Sequence, residues 1–250
     1  MGRVSRHLNA TDAQISAFTE RLKSFLKGQL RKVAADLQSD NADIMQRGLE
    51  AAQTLGRLQS TLVQAGLQSE VAQLRKVYAE QLRFVDSLFA EAKKGKRLYS
   101  DADRAVVETL ITFDTDKVTA TISNYVDDVK STFMKSVLGG DTSGLADRAD
   151  VLTDRVGGAV ATELTTMSQG FSRAVSAAKA SELGIDSFEY EGPDDKITRP
   201  FCQRTLEGRN PPIYTRSEIE AMSNGQDLPV MTYGGGYNCR HQWLPVVSGG

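Results

Sequence analysis

Two cysteines, one histidine and one acid carry most of the chemical potential of this chain. Cys202, Cys239, His241 and Asp195 fall within one stretch of the sequence, and two thiols, an imidazole and a carboxylate are a donor set that tetrahedral zinc accepts. On an extended strand the side chains of Cys239 and His241 point to one side, which brings the two best ligands together. A closed site of this kind staples a small module, because the free energy of metal binding becomes free energy of folding. A second arrangement uses the same residues without metal: Cys202 and Cys239 as buried thiols, His241 hydrogen-bonded in a tight core, and Asp195 paired with Arg199 or Arg240. A disulfide is a third, disfavoured in a reducing compartment.

Catalytic chemistry finds fewer residues to work with. A zinc deaminase requires a His-x-Glu pattern and a zincin requires His-Glu-x-x-His, whereas the only histidines are His7 and His241. A cysteine nucleophile activated by His241 is conceivable, but no oxyanion-hole motif accompanies it beyond a glycine loop. The expectation is therefore of a protein without catalytic residues.

The elements around these residues differ from the rest of the chain. All six prolines and both cysteines lie between Pro193 and Pro245. Ser187–Glu191 alternates polar and apolar residues as a half-buried strand does, and Gly192-Pro193-Asp194 is a turn signal. Thr198 and Arg199 follow the turn acid, where a hydroxyl and a guanidinium tie loop carbonyls together. Thr215 and Glu218 form a capping box that opens a short helix through Met222, stopped by Asn224-Gly225. The loop Tyr233-Gly234-Gly235-Gly236-Tyr237 allows close backbone approach. A last strand over Cys239–Val246 places Cys239, His241 and Trp243 on one side, with Trp243 and Phe201 forming a little core.

Before Gly184 the pattern is helical. Proline is absent from Met1 to Gly192, and apolar residues recur at steps of three and four, which puts them on one face of a helix. A first helix is expected from a Thr11 cap through Leu22, Leu30 and Leu37, interrupted by Ser39-Asp40-Asn41. A second stretch runs from about Ala42, pauses near Gly66, continues to Phe89 and ends at Lys93-Lys94-Gly95-Lys96-Arg97, as one bent helix or two. A third starts at Ser100 and Asp103 and breaks at Gly139-Gly140. A fourth spans Leu145 to Leu183 with Gly184 as terminator, and its Gly157-Gly158 pair suggests a kink or a close helix crossing. The expected fold class is mainly α: an elongated long-helix assembly region over residues 1–184 and a compact α+β module over residues 185–250.

Composition excludes little beyond this. A chain of 250 residues with 40% hydrophobic residues, 25% charged residues and a formal charge of -2 is ordinary for a soluble protein. It carries no apolar stretch long enough to span a bilayer and no apolar signal core behind Met1-Gly2-Arg3, so synthesis in a cytoplasm is expected. Arg3, Arg6, Arg21, Lys23, Lys27, Arg31 and Lys32 outnumber Asp12, Glu20 and Asp36 within the first 37 residues. Such a helix suits sequence-independent phosphate contact through Arg21, Lys23, Lys27, Arg31 and Lys32, and it equally suits a solvated surface.

The order of a helix, Gly184, a strand, Asp195-x-x-Thr198-Arg199-Pro200-x-Cys202, a loop with a short helix, and Asn238-Cys239-Arg240-His241 before a proline-valine strand resembles the C-terminal module of phage Mu F-type minor head proteins, the phage head morphogenesis family. Those proteins typically carry Asp-x-x-Thr-Arg-x-x-His and a closing Asn-Cys-Arg-Cys. Here Cys202 stands at the histidine position and His241 at the second cysteine position, both exchanges between zinc-binding side chains. The resemblance covers about Leu183 to Val246, and the helical part agrees only in general character. It implies a low-copy structural protein of a tailed-phage virion, a homo-oligomer associated with the portal or major capsid protein and in contact with packaged DNA, without an established catalytic activity. Structural zinc is the cofactor that the four ligands suggest. The competing class is a metal-dependent hydrolase, nuclease or toxin-like effector that uses the same Cys/His cluster.

Overall fold

A computed structural model describes residues 3–38, 43–90 and 100–247 of the chain. It is mainly α, with long helices followed by a small antiparallel sheet and short helices. The helices that precede the sheet are α1 (Arg3–Asp36), α2 (Ile44–Gly56), α3 (Leu58–Gln64), α4 (Leu67–Ala72), α5 (Arg75–Leu88), α6 (Asp101–Leu138) and α7 (Leu145–Glu182). The predicted breaks at Ser39-Asp40-Asn41 and Lys93–Arg97, and the predicted start near Ala42, lie outside the described residues.

Helix α1 starts eight residues before the predicted Thr11 cap. Val4 and Leu8 continue the three-and-four spacing and are buried, so extending the helix toward the N-terminus adds apolar burial at no break in the pattern. Thr11 is interior, and its hydroxyl accepts a hydrogen bond from Gln81 Nε2 at 2.8 Å instead of capping. The second stretch is four short helices rather than one or two. Its first is capped by Asp43, whose carboxylate accepts the amide of Met45 at 2.9 Å. Leu55, Leu58, Leu62, Leu67, Val71 and Leu74 stay buried across the breaks, so the apolar spacing survives even where the helical hydrogen bonding does not. Gly66 adopts a φ of +109°, which an L side chain rarely takes.

The ends of α6 and α7 match their signals. Ser100 and Asp103 satisfy each other at the start of α6, with the Ser100 amide donating to Asp103 Oδ2 at 2.6 Å and the Asp103 amide donating to Ser100 Oγ at 3.1 Å. After α7 the amides of Gly184 and Ile185 donate back to the carbonyls of Ser181 and Ala180, at 3.1 and 2.8 Å, the two bonds that close a helix at a glycine. Helix α7 runs unbroken through Gly157-Gly158. The close approach there is made by the Lys23 stem, whose Cδ lies 2.5 Å from where a Cβ on Gly157 would be.

The chain forms two compact units, one of residues 16–74 and 115–161 and the other of residues 1–15, 75–114 and 162–250, so the division does not fall at Gly184. The first has an interior of Leu22, Leu26, Leu58, Ile122, Phe133 and Leu164's predecessors on α7 such as Val160, all buried. Lys27 and Arg31 converge on Asp150 at 2.7 and 2.8 Å. In the second unit His7 stacks on Phe84 with ring centroids 3.8 Å apart, Tyr78 donates to Asp114 at 2.7 Å, and the buried ammonium of Lys179 meets Asp103 at 2.6 Å and Glu182 at 2.8 Å.

The second unit also holds β1 (Ser187–Glu191), α8 (Pro200–Glu207), β2 (Ile213–Thr215), α9 (Arg216–Glu220), α10 (Val230–Tyr233) and β3 (Gln242–Pro245). The sheet order is β2-β1-β3 with both pairings antiparallel, and Tyr190 lies opposite Trp243. The predicted capping box is present, with the Thr215 amide donating to Glu218 Oε2 at 2.8 Å, and α9 ends two residues short of Met222. Strand β3 starts at Gln242 rather than Cys239, because Asn238 turns the chain with a φ of +57°. Buried Gln242 donates to Gln169 of α7 and accepts from Ser172 of α7 at 3.3 Å. Among the described residues no helix is long and apolar enough to cross a membrane.

Two outcomes follow for stability. Gly158 is exposed in α7 with open space where a Cβ would sit, so Gly158→Ala is expected to stabilise the chain by up to about 1 kcal/mol, seen as a raised melting temperature. His7 is 4% exposed, and burial lowers its pKa from 6.5 to about 4 against the pull of Glu80. The unfolded chain takes up a proton near pH 6.5 that the folded chain refuses until about 4, so stability is full above 6.5 and falls by about 3 kcal/mol as pH drops through that window. His7→Phe is expected to flatten this window in denaturant titrations at pH 7 and 4.5. Asp103 and Glu218, held at about 2 by Lys179 and Arg209 respectively, act at lower pH.

Candidate metal centre

The two halves of the Cys/His set arrive on different elements. Pro200 occupies the first helical position of α8, where its fixed φ suits the helix and its missing amide costs no bond. That places Cys202 in the first turn, facing inward. Cys239 and His241 sit in the segment that links α10 to β3. Cys202, Cys239 and His241 are 2%, 4% and 3% exposed, and their ligand atoms lie within 4.8 Å of one another. The sulfurs are 3.8 Å apart with both thiols free, and His241 Nδ1 is 3.9 Å from Cys239 Sγ.

Three further groups shape the site. The Tyr190 hydroxyl, from β1, donates to Cys202 Sγ at 3.3 Å and lies 3.8 Å from Cys239 Sγ. Its ring stacks along His241 at 5.1 Å and against Trp243 at 4.2 Å, with Phe201 edge-on at 6.5 Å. The glycine loop passes over the sulfurs: the Gly235 amide donates to Cys239 Sγ at 3.2 Å, and a side chain on Gly235 would collide with Cys202 Sγ. Arg173 of α7 is 1% exposed and donates to the carbonyls of Thr232 at 2.5 Å and His241 at 2.6 Å, with Cys239 O at 3.4 Å. No carboxylate among the described residues forms an ion pair with it.

A buried cation without an acid favours anionic sulfur nearby. The Cys239 thiol is pulled well below its usual pKa, first by the hydrogen bond from Cys202, then by His241 and the charge of Arg173. Cys202 moves the opposite way, raised by that same bond and by burial. The bond between them thus pushes the two thiols in opposite directions, with Cys239 the more acidic. His241 Nε2 is buried without a hydrogen-bond partner, and so is Arg173 Nη2, both unmet demands in a region where buried polar groups are ordinarily paired. Two sulfurs at tetrahedral edge spacing and an imidazole fit zinc.

Asp195 is not part of this group. It is exposed and forms a two-oxygen pair with Arg240 at 2.7 and 2.8 Å, which holds its carboxyl below the usual range. The predicted carboxylate ligand is corrected to a loop tie, since the guanidinium satisfies both oxygens outside the core. Thr198 joins the same tie by donating to Pro193 O at 3.0 Å, and Arg199 donates to Gly235 O at 3.0 Å, which anchors the glycine loop. Trp243 is buried and donates to Val230 O at 3.1 Å, whereas Phe201 is only half-buried. A cleft of about 170 Å³, lined by Ile197, Thr198, Arg199, Asn238 and Arg240, opens onto Cys202, Cys239 and His241.

The basic residues of α1 are largely engaged with acids. Arg21 faces Glu70 at 3.8 Å and Lys23 meets Asp154 at 2.9 Å. Burial would raise the Asp150 pKa, but Lys27 and Arg31 outweigh it and hold the carboxyl low. Lys32 is exposed. Phosphates would have to displace these carboxylates.

Tyr190 and Arg173 were absent from the expected site. The alternation of Phe188 and Tyr190 was a visible signal for one inward tyrosine, but Arg173 sits in a helix where arginine is ordinarily a surface residue. No family model, curated protein or solved structure matches the chain.

Removing the guanidinium leaves its carbonyls unpaired in the interior. Arg173→Leu is therefore expected to destabilise the chain by on the order of 3 kcal/mol, and to raise the pH at which Cys239 reacts with a thiol reagent, read in the folded protein.

Proposed function

We propose that the chain is a structural minor head or portal-associated protein of a tailed phage, acting in head assembly, with a C-terminal module closed by bound zinc. The observation that carries this reading is the convergence of two distant motif halves, Asp195–Cys202 and Asn238–His241, on one buried cluster. The positions that correspond to the family's histidine and paired cysteines are the ones whose side chains meet. Cys202, Cys239 and His241 would hold the metal, and zinc so held contributes folding free energy and no reaction.

Arg173 fixes the backbone of Cys239 and His241, the glycine loop covers the sulfurs, and the Asp195–Arg240 pair latches the two motif halves together from outside. These support a scaffold rather than a catalytic role, since the charged groups of the site are bound to each other or to carbonyls. The proposed partners are the portal or major capsid protein and further copies of this chain. The ion pairs along α1 weigh against packaged DNA as a strong ligand.

The reading expects the chain in purified virions and procapsids at low copy, detected by mass spectrometry. Its absence from particles while free in the lysate overturns the virion assignment. The full chain purified under reducing conditions is expected to carry one zinc, to lose it in Cys202→Ser and His241→Ala, and to melt at lower temperature after chelation. A nuclease or hydrolase activity abolished by His241→Ala would favour an effector instead.

A further inference from the structure

Three protein ligands leave a tetrahedral centre one short, and Asp195 is tied elsewhere. With zinc–sulfur bonds of about 2.3 Å, two sulfurs of a tetrahedral site lie about 3.8 Å apart and a sulfur and an oxygen about 3.5 Å apart. The sulfurs of Cys202 and Cys239 are 3.8 Å apart, and the Tyr190 oxygen stands 3.3 and 3.8 Å from them. Its position is set by His241, Trp243 and Phe201 around the ring and by the pairing of Tyr190 with Trp243 across the sheet.

We propose that Tyr190 supplies the fourth ligand atom through its phenolic oxygen, completing a Cys202–Cys239–His241–Tyr190 centre. This rests on the reading of the cluster as a metal site. Charge supports it independently of distance. Zinc with two thiolates and a neutral imidazole is uncharged, which leaves the fully buried guanidinium of Arg173 without a counterion. A phenolate restores neutrality within the same interior, and a water molecule in the fourth position would not. On binding, the O–H bond of Tyr190 breaks, its proton leaves to solvent, and the oxygen lone pair bonds to zinc. The cleft beside Thr198 and Arg240 is then the path by which zinc enters, and the coordination shell is closed behind it.

Zinc titration of the full chain under reducing conditions tests this, because zinc itself has no absorption to mask a tyrosinate. The wild type is expected to develop the near-ultraviolet tyrosinate band of one of its seven tyrosines in step with zinc uptake. Tyr190→Phe keeps the ring packing and is expected to show no such band, to release one proton fewer per zinc, and to bind at least ~10-fold more weakly. Zinc uptake by the wild type without tyrosinate overturns the tyrosine ligand and leaves the metal site standing. So does a Tyr190→Phe variant that binds more weakly but releases the same number of protons, since that is the loss of a mere hydrogen bond to Cys202. A wild-type chain that takes up no zinc overturns both readings.

Discussion

A guanidinium buried without an acid is the constraint around which the C-terminal module is arranged. Arg173 is 1% exposed, and a cation in an apolar interior is costly unless its donors are met. The module meets two of its three nitrogens with main-chain carbonyls of Thr232, Cys239 and His241, and Nη2 stays without a partner. Those contacts draw the end of α10 and the approach to β3 onto one face of α7. Consequently Cys239 and His241 are positioned by their backbone, and the glycine loop runs close enough to the sulfurs that a side chain on Gly235 would clash. Cys239 is made the more acidic sulfur first by its bond with Cys202, with His241 and the charge of Arg173 adding to it, and it also accepts the Gly235 amide.

The later half of α7 is consequently an unusual helix. Ser168, Gln169, Ser172, Arg173, Ser176 and Lys179 are all buried, where a surface helix would turn such residues to water. Gln169 and Ser172 bond Gln242, Arg173 holds three carbonyls, and the carbonyl of Ala177 accepts from Arg216 at 2.7 Å. Polar groups in an interior cost free energy when they are unpaired and specify one arrangement when they are paired. The module is thus held to this helix by directional bonds as well as by Phe188, Tyr190 and Trp243.

How much of this was legible in the residues depends on the range of the interaction. Strand β1, the Thr215–Glu218 box, the Ser100–Asp103 start and the Gly184 stop are local, and each was readable from a few neighbours. The Thr11 cap was misplaced because Val4 and Leu8 outweighed it, apolar burial being worth more than one hydrogen bond. The early start of β3 was misread because alternation of Cys239, His241 and Trp243 looks like a strand, whereas Asn238 and the carbonyl bonds to Arg173 bend that segment. Asp195 had the chemistry of a ligand, but its choice of Arg240 is made by tertiary placement that spacing does not encode. Arg173 and Tyr190 lie 66 and 49 residues from Cys239, beyond any motif.

Unit boundaries add a temporal side to this architecture. The unit that contains the cluster draws on residues 1–15, 75–114 and 162–250, while residues 16–74 and 115–161 belong to the other. A ribosome therefore delivers everything needed for that other unit before it reaches Cys202, and delivers Cys239 and His241 later still. The thiol of Cys202 emerges alone, and the site it belongs to closes only when the chain has been made past residue 241. A metal held by these three residues would then be captured late in the life of the nascent chain.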